Sequence, residues 1–262
     1  MNKYWQIFKI NFKENLQSYV NTILSIVSFC IIIYIFVNLW GYIYTNGTPV
    51  INGYTYANML WYLISAEIIC YCSSGRYVVR GINNDVKTGK VAYTLNKPYN
   101  YYIYAVVSDM GEIIFKYIFI ILAGLLMGLV FVGLPTFSLV MVLPIIFAFF
   151  LSSLMSSLLF AIVGLLAFWI EDATPFYWLV SKFFLILGII FPPEFFPSWV
   201  QPIIIYSPVY SIYSGTSKLV ANFSWELYAN VTISQIVYII IFALLGLWVL
   251  SKAVKKVNIN GG

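Results

Sequence analysis

FPPEFFPSWVQPIIIYSP, residues 191–208, carries five of the chain's ten prolines: Pro192, Pro193, Pro197, Pro202 and Pro208. Long apolar segments flank it on both sides. Each proline removes a backbone donor and clashes with the preceding turn, so no straight helix runs through this stretch. In lipid, every carbonyl freed in this way needs a partner from protein or water. The segment therefore marks a break at or inside one membrane face, a feature of transporters and channels.

The membrane setting follows from composition. Of 262 residues, 62% are hydrophobic and 9% charged. Soluble domains are about 45–50% apolar and about 25% charged. So few charges cannot cover a water-facing surface, and apolar runs long enough to span a bilayer recur along the chain. The pattern predicts an all-α integral membrane protein forming one domain over residues 1–262. Six transmembrane helices are expected, near 20–43, 55–74, 106–132, 139–168, 176–191 and 230–250. Ahead of them, residues 1–17 place Trp5, Phe8, Phe12 and Leu16 at helical spacing, with Lys3, Lys9, Lys13 and Glu14 mostly opposite. That is the pattern of an amphipathic interfacial helix; the polar start of the first span is the plainer reading. Between spans five and six, residues 192–215 are expected to form re-entrant helices.

Charge sets the expected orientation. Eleven of the 14 Lys and Arg fall in the N-terminal segment, the polar stretch between spans two and three, and the C-terminus. Cytoplasmic loops carry such an excess. Both termini are then cytoplasmic, and the proline-rich segment lies outside, in a multi-pass protein.

Much chemistry is missing. There is no GxxxxGK[ST], so no ATP site of the P-loop kind. The absence of histidine removes the commonest general base and metal ligand. Cys30, Cys70 and Cys72 lie in apolar runs and read as small buried hydrophobes. No catalytic residue, metal site or cofactor is expected in the chain, and nothing supports nucleic-acid binding.

The order of features resembles the permease subunits of ABC-2 type ATP-driven exporters, in the bacterial drug- and peptide-exporting branch. Three pieces carry the likeness: the N-terminal amphipathic helix, NNDVKTGKVAYTLNKPYNYYIY at 83–104, and AFWIEDATPFYWLV at 167–180 followed by a span and the proline-punctuated segment. The resemblance implies separate ABC ATPase subunits that hold ATP and Mg, and a second permease, identical or related. It also implies a bacterial cytoplasmic membrane. Residues 83–98 would be the coupling segment that docks on the ATPase. There Asp85, Lys87 and Lys90 would pair with partner charges, Val91, Tyr93 and Leu95 would fill an apolar groove, and Lys97-Pro98 would close the helix. The residue-level alternative is a basic loop held by anionic lipid heads. A non-transporting membrane scaffold is the rival for the whole chain.

Further residues stand out. Glu67 and Lys182 fall inside spans, where charge is costly. They form a structural pair or line the substrate pathway, unless Lys182 reaches the interface along its stem. Glu171 and Asp172 make an acidic cytoplasmic turn. Asp109, Glu112 and Lys116 share one helical face, expected to be a solvated extension of span three. In the outer segment Pro192, Pro193, Glu194, Phe196, Pro197 and Trp199 would form an outer gate.

Overall fold

The computed structural model describes residues 3–17, 19–135 and 138–260. Of the turn expected at 133–138, Thr136 and Phe137 lie outside the described residues, as do Met1, Asn2, Ser18, Gly261 and Gly262 at other boundaries. The chain is helical nearly throughout. Helices α1 (Lys3–Gln17) and α2 (Tyr19–Asn46) come first, then α3 (Tyr56–Cys72), α4 (Arg76–Lys87), α5 (Lys90–Leu95) and α6 (Tyr101–Phe131). Next are α7 (Val142–Leu165), α8 (Ala167–Ile170) and α9 (Thr174–Phe184). The remaining helices are α10 (Gln201–Ile205), α11 (Gly215–Ala221) and α12 (Trp225–Asn260).

Four helical stretches are long and apolar enough to cross a bilayer: Val20–Asn46, Tyr101–Phe131, Leu139–Ile170 and Trp225–Lys256. Thr174–Ile190 is shorter. Helix α3, expected as the second span, is only 17 residues long, and every residue from Met59 to Ile69 is buried. A helix apolar on all sides belongs in an interior. It sits against α2, α6 and α11.

One loop carries a hairpin, and one expectation, the solvated start of α6, is corrected. The loop after the first span contains a two-stranded hairpin, β1 (Val50–Ile51) and β2 (Tyr54–Thr55), paired Val50 to Thr55 and Ile51 to Tyr54. Its turn, Asn52-Gly53, has φ of 49° and 85°, the double left-handed geometry that Asn-Gly favours. The polar face at the start of α6 is not solvated. Helix α1 packs over it: Ser108, Asp109 and Glu112 are buried, and Asn11 Nδ2 donates to Ser108 Oγ at 3.2 Å. Gly111 permits the approach, since a Cβ there would sit 2.9 Å from the Phe8 carbonyl.

Helix α7 holds the bundle together through small polar residues, which let backbones come close in an apolar medium. Ser152 Oγ donates to the Ile212 carbonyl at 2.6 Å, and Ser156 Oγ to that of Ser73 at 2.7 Å. The Tyr102 hydroxyl reaches two carbonyls, Leu158 at 3.0 Å and Phe242 at 3.1 Å, and so ties α6 to α7 and α12. Tyr102→Phe should cost about 0.6–1.7 kcal/mol, the range for polar contacts within membrane bundles. Thermal unfolding in detergent measures it, and the expected drop is small.

The proline-rich region shows how the break is satisfied. Residues Leu185–Ile190 and Tyr210–Ser214 are π-helical, a widened form that leaves carbonyls free for other donors. The Gly188 carbonyl accepts from Tyr62 Oη at 2.8 Å and Ser214 Oγ at 3.1 Å. That of Ser211 accepts from Gln235 Nε2 at 3.0 Å and Thr216 Oγ1 at 2.9 Å. Side chains from α3, α11 and α12 thus supply the donors that lipid lacks.

Candidate functional site

Two polar constellations lie at opposite ends of the bundle. At the lysine-rich end, α4 and α5 form an elbow between α3 and α6. Gly75 (φ 69°) and Gly89 (φ 71°) precede the two helices in the left-handed conformation. Within the elbow Asp85 is buried: Tyr101 Oη donates to its Oδ2 at 3.0 Å, and Lys90 Nζ lies 3.6 Å from Oδ1. Val91 is also buried, and Leu95 is half-buried against the core. Asp85, Val91 and Leu95 therefore serve the elbow's own packing, and are not on offer to a partner as the sequence reading had them. The elbow exposes Lys87, Lys90 and Tyr93, the last 67% accessible, with Lys97 Nζ over its ring at 4.7 Å. Pro98 follows α5 without lying in a helix, and its carbonyl accepts from Lys3 of α1.

The elbow is clamped to the acidic turn. Lys87 Nζ lies 2.6 Å from Asp172 Oδ2. Asn83 Nδ2 donates to Asp172 Oδ1 at 2.8 Å and to Thr174 Oγ1 at 3.0 Å, while its Oδ1 accepts from the Ala173 amide at 3.1 Å. The Lys87 ammonium, then the Thr174 hydroxyl and amide, hold the Asp172 carboxyl well below its ordinary range. Glu171, at φ 64°, turns the chain so that Asp172 faces the elbow. Sequence reading named Lys87 and Asp172 separately but missed Asn83, Tyr101 and Thr174. Asn83 lies four residues before Lys87, on the same helical face, which was the one signal available.

Beside the clamp opens a cavity of about 1040 Å³. Arg76, Arg80, Lys116 and Lys182 line it, with Glu14 and Glu112. Lys182 and Glu67 are not joined: the four ion pairs among the described residues leave both out. Lys182 instead lies over the Trp178 ring at 5.4 Å, and Glu67 is buried inside α3.

At the other end, Glu194 of the proline-rich segment pairs with Lys218 of α11 and accepts from Tyr54 Oη at 3.4 Å. Lys218 Nζ also lies 5.3 Å from the Tyr210 ring centre. Pro193 and Glu194 lie in a short 3₁₀ turn, Pro193–Phe195. Pro192 caps it, Phe196 stacks edge-on to Phe191, and Pro197 leads into the turn where Trp199 stands 73% exposed. The hairpin is therefore pinned to the proline segment by its Tyr54, burial and the Glu194 carboxylate together holding that phenol un-ionised. Glu194→Gln keeps the shape but strands Lys218, which is mostly buried. Amide exchange in residues 192–215 should then quicken about tenfold, equivalent to about 1.4 kcal/mol. Unchanged exchange would mean that the aromatic packing alone fixes the segment.

A bundle of long apolar helices, with its charge gathered at one end, defines a multi-pass helical membrane protein. The sequence model for the ABC-2 family transporter protein matches residues 32–261. The chain belongs to the ABC-2 transporter family, a membrane transport component. No curated protein matches it.

Proposed function

We propose that this chain is the permease subunit of an ABC-2 exporter. It works with a second permease, identical or related, and with two separate ABC ATPase subunits that hold ATP and Mg. Substrate leaves the cytoplasm between the two permeases. In this reading the chain crosses a bacterial plasma membrane six times, with α3 and the α9 segment as the short second and fifth spans and both termini in the cytoplasm. The segment 192–215 re-enters the outer leaflet and caps the exit.

The observation that carries the coupling role is the clamp. An elbow that exposes Tyr93 is joined through Asn83 and Lys87 to Asp172 and Thr174, where the acidic turn enters α9. A push on the elbow by a closing ATPase is thereby delivered to a transmembrane segment, because a hydrogen-bonded hub moves as a unit. Tyr93→Asp tests the docking face. That variant should fold normally, since Tyr93 is exposed, yet lose at least tenfold in affinity for the ATPase, because truncated aromatic anchors commonly cost about 2 kcal/mol or more. Copurification with its cognate P-loop ATPase is the measurement. Undiminished recovery of the ATPase would assign the elbow to lipid heads instead.

A further inference from the structure

Four cations and two carboxylates, Glu14 and Glu112, line the cavity beside the elbow, which leaves it with an excess of positive charge. Arg76 at the start of α4 and Lys182 in the last turn of α9 both sit over one indole, Trp178, at 5.8 Å and 5.4 Å from its ring centre. Arg80, one turn along from Arg76, lines the same space. None of the three has a carboxylate within ion-pair distance among the described residues, whereas Lys116, the fourth cation, is paired with Glu112. Arg76 and Lys182 thus lie within about 6 Å of the same ring centre, and like charges gathered in one place are stabilised by an anion near them. Lys182 also belongs to an apolar helix and not to a loop, so the usual excess of cytoplasmic positive charge does not explain it.

The rest of the wall mixes polar side chains, among them Asn15, Ser25 and Ser28, with apolar ones. Leu24 of α2, Phe184 at the end of α9 and Leu185 just after it supply apolar side chains to the cavity. A volume of about 1040 Å³ lies at the upper end of small-molecule pockets, about 300–1,000 Å³. A bare anion would occupy a small part of it and leave those walls wet. Guanidinium and ammonium groups together suit phosphate, whose oxygens take forked and single donors at once.

We propose that this cavity binds a phosphate-bearing amphiphile, its anionic head on Arg76, Arg80 and Lys182 and its apolar part along Leu24 and Leu185. The site stands whether or not the chain exports anything, because the ligand is either a resident membrane phospholipid or a cargo of the same chemistry.

The test uses the whole chain, purified and placed in phosphatidylcholine nanodiscs. Fluorescent phosphatidylglycerol is titrated in, with inorganic phosphate as a second probe. Phosphatidylglycerol should bind saturably, and the double variant Arg76→Gln/Lys182→Gln should weaken it at least tenfold. The charge-keeping double variant Arg76→Lys/Lys182→Arg should retain most of the binding, which separates lost charge from lost fold. Lys252→Gln is the matched control, a lysine over a tryptophan (Trp248, 5.8 Å) on α12 away from the cavity, and should change nothing. Inorganic phosphate should compete only weakly. Equal binding by both double variants and the unaltered chain, or competition by inorganic phosphate as strong as that of the lipid, overturns the proposal. Adding the ATPase and ATP separates the two sources: a ligand released on turnover is cargo, one retained is a resident lipid, and either supports the site.

Discussion

Gly75→Ala should leave little folded protein. Gly75 stands between α3 and α4 at φ 69°, buried, and a Cβ built there would clash with the Cβ and ring of Phe160. Two separate costs combine. A left-handed backbone costs an L-residue about 1–2 kcal/mol. Overpacking a core adds about 1–3 kcal/mol, and Phe160 has nowhere to go, being buried against Tyr177 and Phe184. The sum, about 2–5 kcal/mol, is a large part of the roughly 5–15 kcal/mol that holds a typical fold. The controls are built into the chain. Gly53 and Gly89 share the left-handed backbone, at φ 85° and 71°, but have nothing within 4 Å of a built Cβ. Their alanine variants should show only the strain. Monodisperse yield and melting temperature in detergent measure all three. If Gly75→Ala behaves like Gly89→Ala, the Phe160 contact is not rigid.

Asn83→Ala should be the most damaging single change to coupling. It removes three hydrogen bonds at once and leaves the Ala173 amide, in a fully buried residue, without its acceptor. An orphaned buried donor costs about 1–3 kcal/mol. Lys87→Met removes only a half-exposed ion pair, and such pairs contribute about 0–1 kcal/mol. Helix α4 would then part from the start of α9 in the first variant and stay joined in the second. Transport in vesicles containing the complete complex should fall at least tenfold for Asn83→Ala, with ATP hydrolysis retained, and fall little for Lys87→Met. Equal effects would mean that the ion pair, and not the asparagine, carries the push. The pH response has a defined sign. Asp172 is depressed in the folded state, so its contribution is full above the ordinary aspartate range and fades as pH falls toward the lower folded value. The protection factor of the Thr174 amide, which donates to Asp172 Oδ1, should be flat from about pH 8 to about pH 5, a range above the usual carboxylate values.

The relation between sequence and structure differs from one element to another. Helices α2, α6, α7 and α12 were legible because an apolar run of bilayer length has few other uses. The proline break was legible because a missing N–H is a covalent fact. The elbow was recognised as a polar stretch with a glycine and a proline in the right order. Which of its residues face inward was not: Asp85 looked like a free charge until Tyr101, 16 residues on, was seen to hold it. The buried face of α6 was misread for the same reason. A run of Asp109, Glu112 and Lys116 looks solvated from its own helix, and only the packing of α1, about a hundred residues earlier, covers it.

Taken alone, then, the sequence determined that this is a helical membrane protein, that its chain breaks at the proline-rich segment, and that its positive charge gathers at one end. Those properties are sums over neighbouring residues. The tertiary structure decided the partners: Asn83 and Lys87 for Asp172, Lys218 and Tyr54 for Glu194, Trp178 for both Arg76 and Lys182. It also decided how the break is tolerated: Tyr62 of α3 and Ser214 meet the Gly188 carbonyl that Pro192 leaves without an amide. Hydrogen bonds and ion pairs act over about 3–4 Å, and only folding brings residues so far apart in sequence to that distance.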